Sequence, residues 1–196
     1  MTGSRARGRR ALIWRRLVAL LADGIILGLV GFVLLAIGTL LLGPAVRVEP
    51  SGSEAPAVDA IGWRMLANTV AISVLSAAYF AASWTSARSS PGQAILGIQV
   101  EDAVVAGAPL PFGRAVLRWA WMGSPLGILA TAVVNEPLAF AIVTAASAVW
   151  FLTLLATALF SRSGRGLHDR LSGSLVTWRE RGMGVERPDE ANRRET

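Results

Sequence analysis

The sequence contains no cysteine and no lysine, and one histidine among its 196 residues. The absence of cysteine excludes disulfide bonds, cysteine nucleophiles and thiolate metal sites. The single histidine, His168, cannot build a multi-histidine metal site, and no H-E-x-x-H, G-x-S-x-G or phosphate-binding glycine motif occurs. We therefore expect no enzyme activity, no cofactor and no bound metal.

Charged residues are scarce as well, since they make up 16% of the chain while hydrophobic residues make up 53%. A soluble domain of this length rarely has such a composition, so we expect an integral membrane protein in contact with a lipid bilayer. The chain is nevertheless basic, with a formal net charge of +6. Because its arginines cluster at the ends of apolar segments, as the positive-inside rule predicts, we expect no nucleic-acid partner.

Four apolar segments are long enough to cross a bilayer, and they predict an all-α membrane protein with four transmembrane helices. The first is too long for the apolar core of a signal peptide. Trp63 and Trp84 bracket the second at positions that suit the two membrane interfaces. Pro125 predicts a kink or a break in the third. The predicted spans cover about residues 17–42, 65–82, 115–134 and 138–160.

The segments between and after the spans are predicted to form a small cytoplasmic part. Residues 85–112 are a cytoplasmic insertion and residues 161–181 a cytoplasmic closing segment. Alternating apolar and polar residues predict a short strand in each, at 98–101 and 174–178, and these strands can pair into a β-ribbon. By contrast, the proline, glycine and serine content of residues 43–62 predicts a flexible external loop.

The arginines also predict the orientation in the membrane. Six of them lie in the basic N-terminal segment, residues 1–16, and others follow the fourth span. The positive-inside rule therefore places both termini in the cytoplasm, which an even number of spans satisfies. We expect a multi-pass protein of the cell (inner) membrane. The tail, residues 182–196, is polar and charged and is predicted to be disordered.

Asp23 is an acid inside the first apolar span. A charged side chain in the hydrocarbon region costs about 2.5 kcal/mol or more, so it usually faces a bundle interior, a partner charge or a wet path. Arg16 lies on the same helical face, but the rise of about 10 Å is too long for direct contact. The second span has a polar seam that suits either Asp23 or close helix packing, formed by Asn68, Thr69, Ser73, Ser76 and Tyr79.

His168 and Asp169 are the next residues with possible chemistry. A carboxylate that orients an imidazole is an arrangement found around general bases. Adjacent side chains rarely point at each other, however. We therefore expect Asp169 to lie in a loop or to cap the start of a helix.

Three blocks of the sequence together resemble the RDD family of bacterial membrane proteins, which is named for one arginine and two aspartates. They lie in order at residues 14–23, 90–100 and 166–174. The resemblance implies that Arg16 is the family arginine and that Asp23 and Asp169 are the two aspartates. It also implies an integral membrane protein of a family for which transport has been proposed. Gln93 departs from the pattern, since the family usually carries lysine there, and a role that needs a cation at this position is in doubt.

Two functions remain open from the sequence. In the first, the protein transports ions or small solutes, Asp23 binds a proton or a sodium ion, and Arg16 or Arg118 tunes its charge. In the second, it is a non-catalytic structural or partner-binding membrane protein, and Arg16, Asp23 and Asp169 form a buried ionic lock. Four short spans are also compatible with a homo-oligomer or a membrane partner protein.

Overall fold

The structure is a computed structural model that describes residues 2–49, 57–161 and 165–178. The tail predicted to be disordered lies outside these residues. In chain order the described elements are α1 (Thr2–Leu42), β1 (Val46–Glu49), β2 (Ala57–Ala60), α2 (Gly62–Ala82), α3 (Pro91–Ile95), β3 (Ile98–Asp102), α4 (Phe112–Trp121), α5 (Ser124–Ala132), α6 (Pro137–Phe160), α7 (Leu167–Leu171) and β4 (Ser174–Trp178). A π-helical turn, Ser83–Ala87, continues α2.

Three helices in the described part of the chain are long and apolar enough to cross a membrane: Trp14–Leu42, Gly62–Ala87 and Pro137–Phe160. In their most apolar stretches, 6%, 17% and 6% of the residues are buried within the protein. Most of their apolar surface therefore has no protein partner, which suits a lipid environment. The first helix ends at Leu42, and the next residue, Gly43, has a φ of +82°, which glycine adopts without strain.

The predicted third span, residues 115–134, is not one helix, so a fourth spanning helix is not confirmed. It is replaced by α4 and α5, which are separated at Gly123. Gly123 has a φ of +98°, which a right-handed helix does not contain. Pro125 lies in the first turn of α5, where its missing N–H costs no hydrogen bond. The predicted break is therefore present, but it lies at the glycine before the proline.

The predicted flexible loop, residues 43–62, contains a β-hairpin, so this prediction was wrong for the ends of the segment. Strand β1 pairs antiparallel with β2, with Val46 opposite Ala60 and Glu49 opposite Ala57. Strand β1 alternates apolar and polar residues, in keeping with the two-residue period of a strand, whereas β2 has the sequence Ala-Val-Asp-Ala and does not alternate. The strand pattern is therefore weak, and the proline, glycine and serine residues between the strands favoured a loop. Residues 50–56, between the strands, lie outside the described part.

The two strands predicted to form a ribbon do pair. Strand β3 runs antiparallel to β4, with Ile98 opposite Trp178 and Asp102 opposite Ser174. We refer to α3, β3, α7 and β4 together as the cap. Its position on the cytoplasmic side stays a prediction.

The main hydrophobic core lies where the cap meets the beginning of the apolar part of α1, the end of α2 and the start of α4. It contains Ala19, Phe80, Ala81, Trp84, Ile98, Val100, Leu110, Ala115 and Val176. Close packing of this kind holds side chains in fixed positions. The core therefore fixes the positions of the polar groups at the boundary between the cap and the long helices.

Candidate functional site

Asp23 is buried where α1 meets α3, with 2% of its surface exposed. Its Oδ1 accepts hydrogen bonds from the Tyr79 hydroxyl at 2.8 Å and from the backbone N–H of Gly92 at 2.8 Å. Its Oδ2 accepts a hydrogen bond from the Ser90 hydroxyl at 2.5 Å. All three donors are uncharged. Among the described residues no cation pairs with this carboxylate.

Gly92 is required to be glycine because α3 packs directly against α1. A Cβ at this position would lie 2.5 Å from the carbonyl oxygen of Ala19 and 2.9 Å from Cγ of Asp23. Pro91 begins α3 with the φ that a helix needs, and the N–H of Gly92 in the first turn has no acceptor within the helix. Ser90 and Gly92 therefore donate hydrogen bonds to the Asp23 carboxylate, and Pro91 begins the helix that positions them.

Gln93 completes the N-terminal cap of α3. Its Oε1 accepts hydrogen bonds from the backbone N–H of Ser90 and from Nε1 of Trp84, each at 3.0 Å. Its own N–H donates to the Ser90 hydroxyl oxygen at 3.4 Å, which completes a capping box. The neutral side chain of Gln93 therefore acts as the acceptor for two N–H groups.

Asp169 is the centre of a second cluster and is fully buried. Its Oδ2 lies 3.0 Å from Nη1 of Arg16, and its Oδ1 lies 2.8 Å from Nη2 of Arg118. The backbone N–H of Gly166 also donates to Oδ2 at 3.1 Å. The predicted capping of a helix start is confirmed, because this N–H precedes the first turn of α7.

Arg118 is the most deeply buried cation of this cluster, with 4% of its side chain exposed. Its Nη1 donates to the Ser174 hydroxyl at 2.9 Å. Its guanidinium carbon lies 4.8 Å from the ring centre of Trp84, within the range of a cation–π contact. Arg118 therefore joins α4 to both α7 and β4 of the cap and to the end of α2.

His168 does point at Asp169, contrary to our expectation for adjacent side chains. Its Nε2 lies 3.3 Å from Oδ1 of Asp169. Burial, partly offset by attraction to Asp169, lowers the pKa of His168 to about 4. Burial of Asp169 would raise the pKa of its carboxyl group, but attraction to the nearby cations, chiefly Arg118, outweighs burial and lowers that pKa. At neutral pH the cluster therefore contains an ionised Asp169 beside a neutral imidazole.

One side of the α2 polar seam faces α1. Tyr79 donates to Asp23, as described above. Asn68 fits against Gly38, where a Cβ would overlap with its amide oxygen. The seam therefore contacts Asp23 through the hydroxyl group of Tyr79.

The other side of the seam faces α4 and α5. The hydroxyl oxygens of Thr69 and Thr131 lie 3.1 Å apart, and Ser76 accepts a hydrogen bond from Nε1 of Trp119 at 2.9 Å. Ser73 is buried, and its carbonyl oxygen accepts the hydroxyl hydrogen bond of Ser76. These contacts place α5 beside the first half of α2 and α4 beside its second half.

The site residues predicted from the sequence thus divide into two clusters. Arg16 and Arg118 both pair with Asp169, and among the described residues neither forms an ion pair with Asp23. Sequence reasoning also missed Ser90 and Gly92, although a serine before a proline is a known signal for a helix start. In the described residues, no group of three or more acidic or histidine side chains could hold a metal ion.

Long apolar helices with large uncovered surfaces define an integral membrane protein, and two buried aspartates lie where the cap meets those helices. A model of the RDD family matches residues 10–173, which is most of the chain. The chain therefore belongs to the RDD family. The comparisons with curated proteins and with solved structures returned no match.

Proposed function

We propose that this RDD family membrane protein is of transport type, with Asp23 exchanging a proton or a sodium ion and Asp169 acting as the fixed centre of an ionic lock. The observation that carries the proposal is the difference in charge between the two sets of partners. Asp23 has three uncharged donors. Asp169 lies between Arg16 and Arg118.

The surroundings of Asp23 favour an exchangeable ligand. An ionised carboxylate without a cation is costly inside a membrane-spanning segment, by about 2.5 kcal/mol or more. A proton or a bound sodium ion removes that cost by neutralising the charge. Intramembrane acids act in this way in pumps and transporters.

The hydrogen bonds of Asp23 suit both protonation states of the carboxyl group. Oδ1 accepts from Tyr79 and Gly92, and it can do so whether the group is ionised or neutral. Oδ2 faces the Ser90 hydroxyl, which can donate to an ionised oxygen or rotate to accept from a protonated one. A proton can therefore bind and leave at Oδ2 without a movement of the backbone.

The cluster around Asp169 suits a permanent contact. Arg16 belongs to α1 and Arg118 to α4, while Asp169 belongs to α7 of the cap. Removal of one partner of a buried ion pair leaves a charge without compensation, which typically costs about 3–5 kcal/mol. We therefore assign the lock to these three residues and leave Asp23 outside it.

The contacts along α2 support four membrane crossings with a discontinuous third one. From Trp119 to Thr131 the chain follows α2 in the opposite direction, as the pairs with Ser76 and Thr69 indicate. Discontinuous helices often border binding sites in transporters. We accordingly propose that α4 and α5 cross together, with both chain termini in the cytoplasm and the protein in the cell (inner) membrane.

A second function, as a non-catalytic structural or partner-binding protein, is favoured by the close packing around Asp23. The backbone at Gly92 has no space for one additional carbon atom. Asp23 would then be a second tether between α1 and the cap. The activity would depend on a second copy of the chain or on a membrane partner protein.

The test is the flux of protons and of sodium ions into proteoliposomes that contain the purified protein or its Asp23→Asn variant. The asparagine retains an oxygen for Tyr79 and Gly92, and its amide N–H can donate to Ser90. We therefore expect Asp23→Asn to unfold at nearly the wild-type temperature and to show background flux. Without a charge at this position, the exchanged ion has no binding group.

The matched control is Asp169→Asn, which removes a charge of the same kind from the lock. We expect this variant to unfold at a lower temperature, because Arg16 and Arg118 lose their counter-ion. A folded Asp23→Asn protein with wild-type flux would contradict the transport proposal. Absence of flux in the wild type, together with a destabilised Asp23→Asn variant, would favour the structural function instead.

A further inference from the structure

A cavity of about 370 Å³ lies between the last turns of α6 and the short helix α7. None of the residues that line it belongs to the hydrogen-bond partners of Asp23. Its lining combines apolar side chains with two hydroxyl groups and one guanidinium group, from Ala156, Thr157, Phe160, Ser161, Leu167 and Arg170. The cavity is therefore amphipathic, with a cation on one wall.

The cation on this wall is Arg170, and its charge is not compensated by a described acid. One of its N–H groups donates to the Ser161 hydroxyl at 2.8 Å. Neither Arg170 nor Arg165 forms an ion pair within the described residues. The acid nearest to them in sequence, Asp169, is already paired with two other arginines. Arg170 is exposed, so its guanidinium group is accessible to an anionic ligand.

The cavity lies where an apolar helix ends, and lipid headgroups are expected to begin near the ends of membrane-spanning helices. The helix α6 is long and apolar enough to cross a membrane, and it ends at Phe160. Phe160 is 84% exposed, so its ring faces the surroundings of the protein. The Thr157 hydroxyl group already has two hydrogen-bond partners, since it accepts from the N–H of Leu167 and donates to the carbonyl oxygen of Leu154. Arg170 is thus the polar group on this wall that is best placed to meet a headgroup.

We propose that this cavity binds one anionic phospholipid, with the phosphate against Arg170 and the start of an acyl chain over Ala156, Phe160 and Leu167. Arginine binds phosphate through several N–H groups at once, and cationic pockets at the membrane boundary attract acidic lipids. The volume falls in the range of small-ligand sites. It accommodates the headgroup region, while the remaining acyl chain follows the uncovered surface of α6. This proposal does not depend on a transport activity.

The test compares binding of phosphatidylglycerol and of phosphatidylcholine to the purified full chain in detergent, measured by native mass spectrometry over a lipid titration. We expect phosphatidylglycerol to bind more tightly than phosphatidylcholine. Arg170→Gln should weaken phosphatidylglycerol binding about fivefold, which corresponds to the loss of one arginine near a membrane surface. Ala156→Trp should weaken it as well, because the indole fills the cavity while the charge is unchanged.

The matched control is Arg64→Gln, which removes an arginine from the start of α2, away from the cavity. We expect this variant to bind phosphatidylglycerol like the wild type. The proposal would be overturned if Arg64→Gln and Arg170→Gln weakened phosphatidylglycerol binding equally, or if the wild type bound the two lipids equally. So would competition by inorganic phosphate combined with unchanged lipid binding in Ala156→Trp, since the site would then take a soluble anion. Ala156 is exposed on α6, so its replacement tests the cavity even if Arg170→Gln does not fold.

Discussion

Asp23 and Asp169 are both buried, yet the groups around them carry different charges. From the sequence, Asp23 was expected inside an apolar span and Asp169 in a loop or at a helix start, but the complete set of partners was predicted for neither carboxylate. The difference depends on Arg118 and Ser90, which are about 50 or more residues away from the aspartate that each contacts. Such contacts follow from the packing of α3 and α4 against α1 and α7, which no local sequence pattern reports.

Gly92→Ala should destabilise the protein, because the added carbon meets the backbone of α1 and the Asp23 carboxyl group. The nearest atom is the carbonyl oxygen of Ala19, at 2.5 Å, and a backbone atom cannot rotate away. Overpacking of this kind costs about 1–3 kcal/mol. The measurement is the thermal unfolding midpoint in detergent. The control is Gly113→Ala, where a Cβ meets nothing within 4 Å, and an equal midpoint for the two variants would contradict the account.

The stability of the protein should decrease as the pH falls from about 6.5 to about 4. The pKa of His168 is about 4 in the folded protein and 6.5 for an imidazole without the folded surroundings. The unfolded chain therefore binds more protons than the folded protein between these two pH values. The stability from a neutral His168 is present above pH 6.5 and is lost as the pH falls through 4. Its full size is about 3 kcal/mol.

Chemical unfolding at several pH values measures this dependence, with His168→Gln as the comparison. Glutamine does not titrate, so the variant should show a shallower loss of stability between these two pH values. The same slope in both proteins would show that other groups cause the pH dependence.

At the scale of whole elements, hydropathy and residue period predicted most of the architecture. The long apolar helices and the two strands of the cap were found from local patterns, because each pattern repeats within one element. The hairpin between α1 and α2 was missed, since its strands are four residues long and flank a turn-rich segment. The break between α4 and α5 was assigned to Pro125. Proline is compatible with the first turn of a helix, however, so Pro125 begins α5 and does not end α4.

Gly123→Ala should destabilise the connection between α4 and α5. Gly123 has a φ of +98°, and a left-handed conformation costs a residue with a Cβ about 1–2 kcal/mol. The added carbon would also lie 3.3 Å from Cδ1 of Trp150. Thermal unfolding in detergent measures the effect. Gly127→Ala in α5, where a Cβ meets nothing within 4 Å, should be neutral or stabilising, and a loss as large as that of Gly123→Ala would contradict this explanation.

At the scale of the whole molecule, burial is concentrated in the cap and its boundary with the helices. The long helices present wide apolar surfaces that the described protein does not cover. The sequence predicted the membrane class from composition alone. It did not predict that the best-packed core lies at one end of the helices, because that core joins elements from all parts of the chain.

The absence of cysteine makes the membrane topology directly measurable. Ala106 and Glu136 are both exposed and flank the α4 and α5 pair. If these helices cross the membrane together, an impermeant maleimide should label Glu136→Cys in intact cells and Ala106→Cys only after the membrane is opened. The wild-type chain is the unlabelled control. Labelling of both variants from the same side would show that the pair does not cross.

Infrared difference spectroscopy of the carboxyl stretch, recorded while the pH or the sodium concentration is changed, shows directly whether Asp23 exchanges a proton or a sodium ion. The account predicts a protonated-carboxyl band in the wild type that is lost in a folded Asp23→Asn variant, because Asp23 is the group that gains and releases the proton. Identical difference spectra for the two proteins would contradict it, and Asp23 would then be a tether between α1 and the cap.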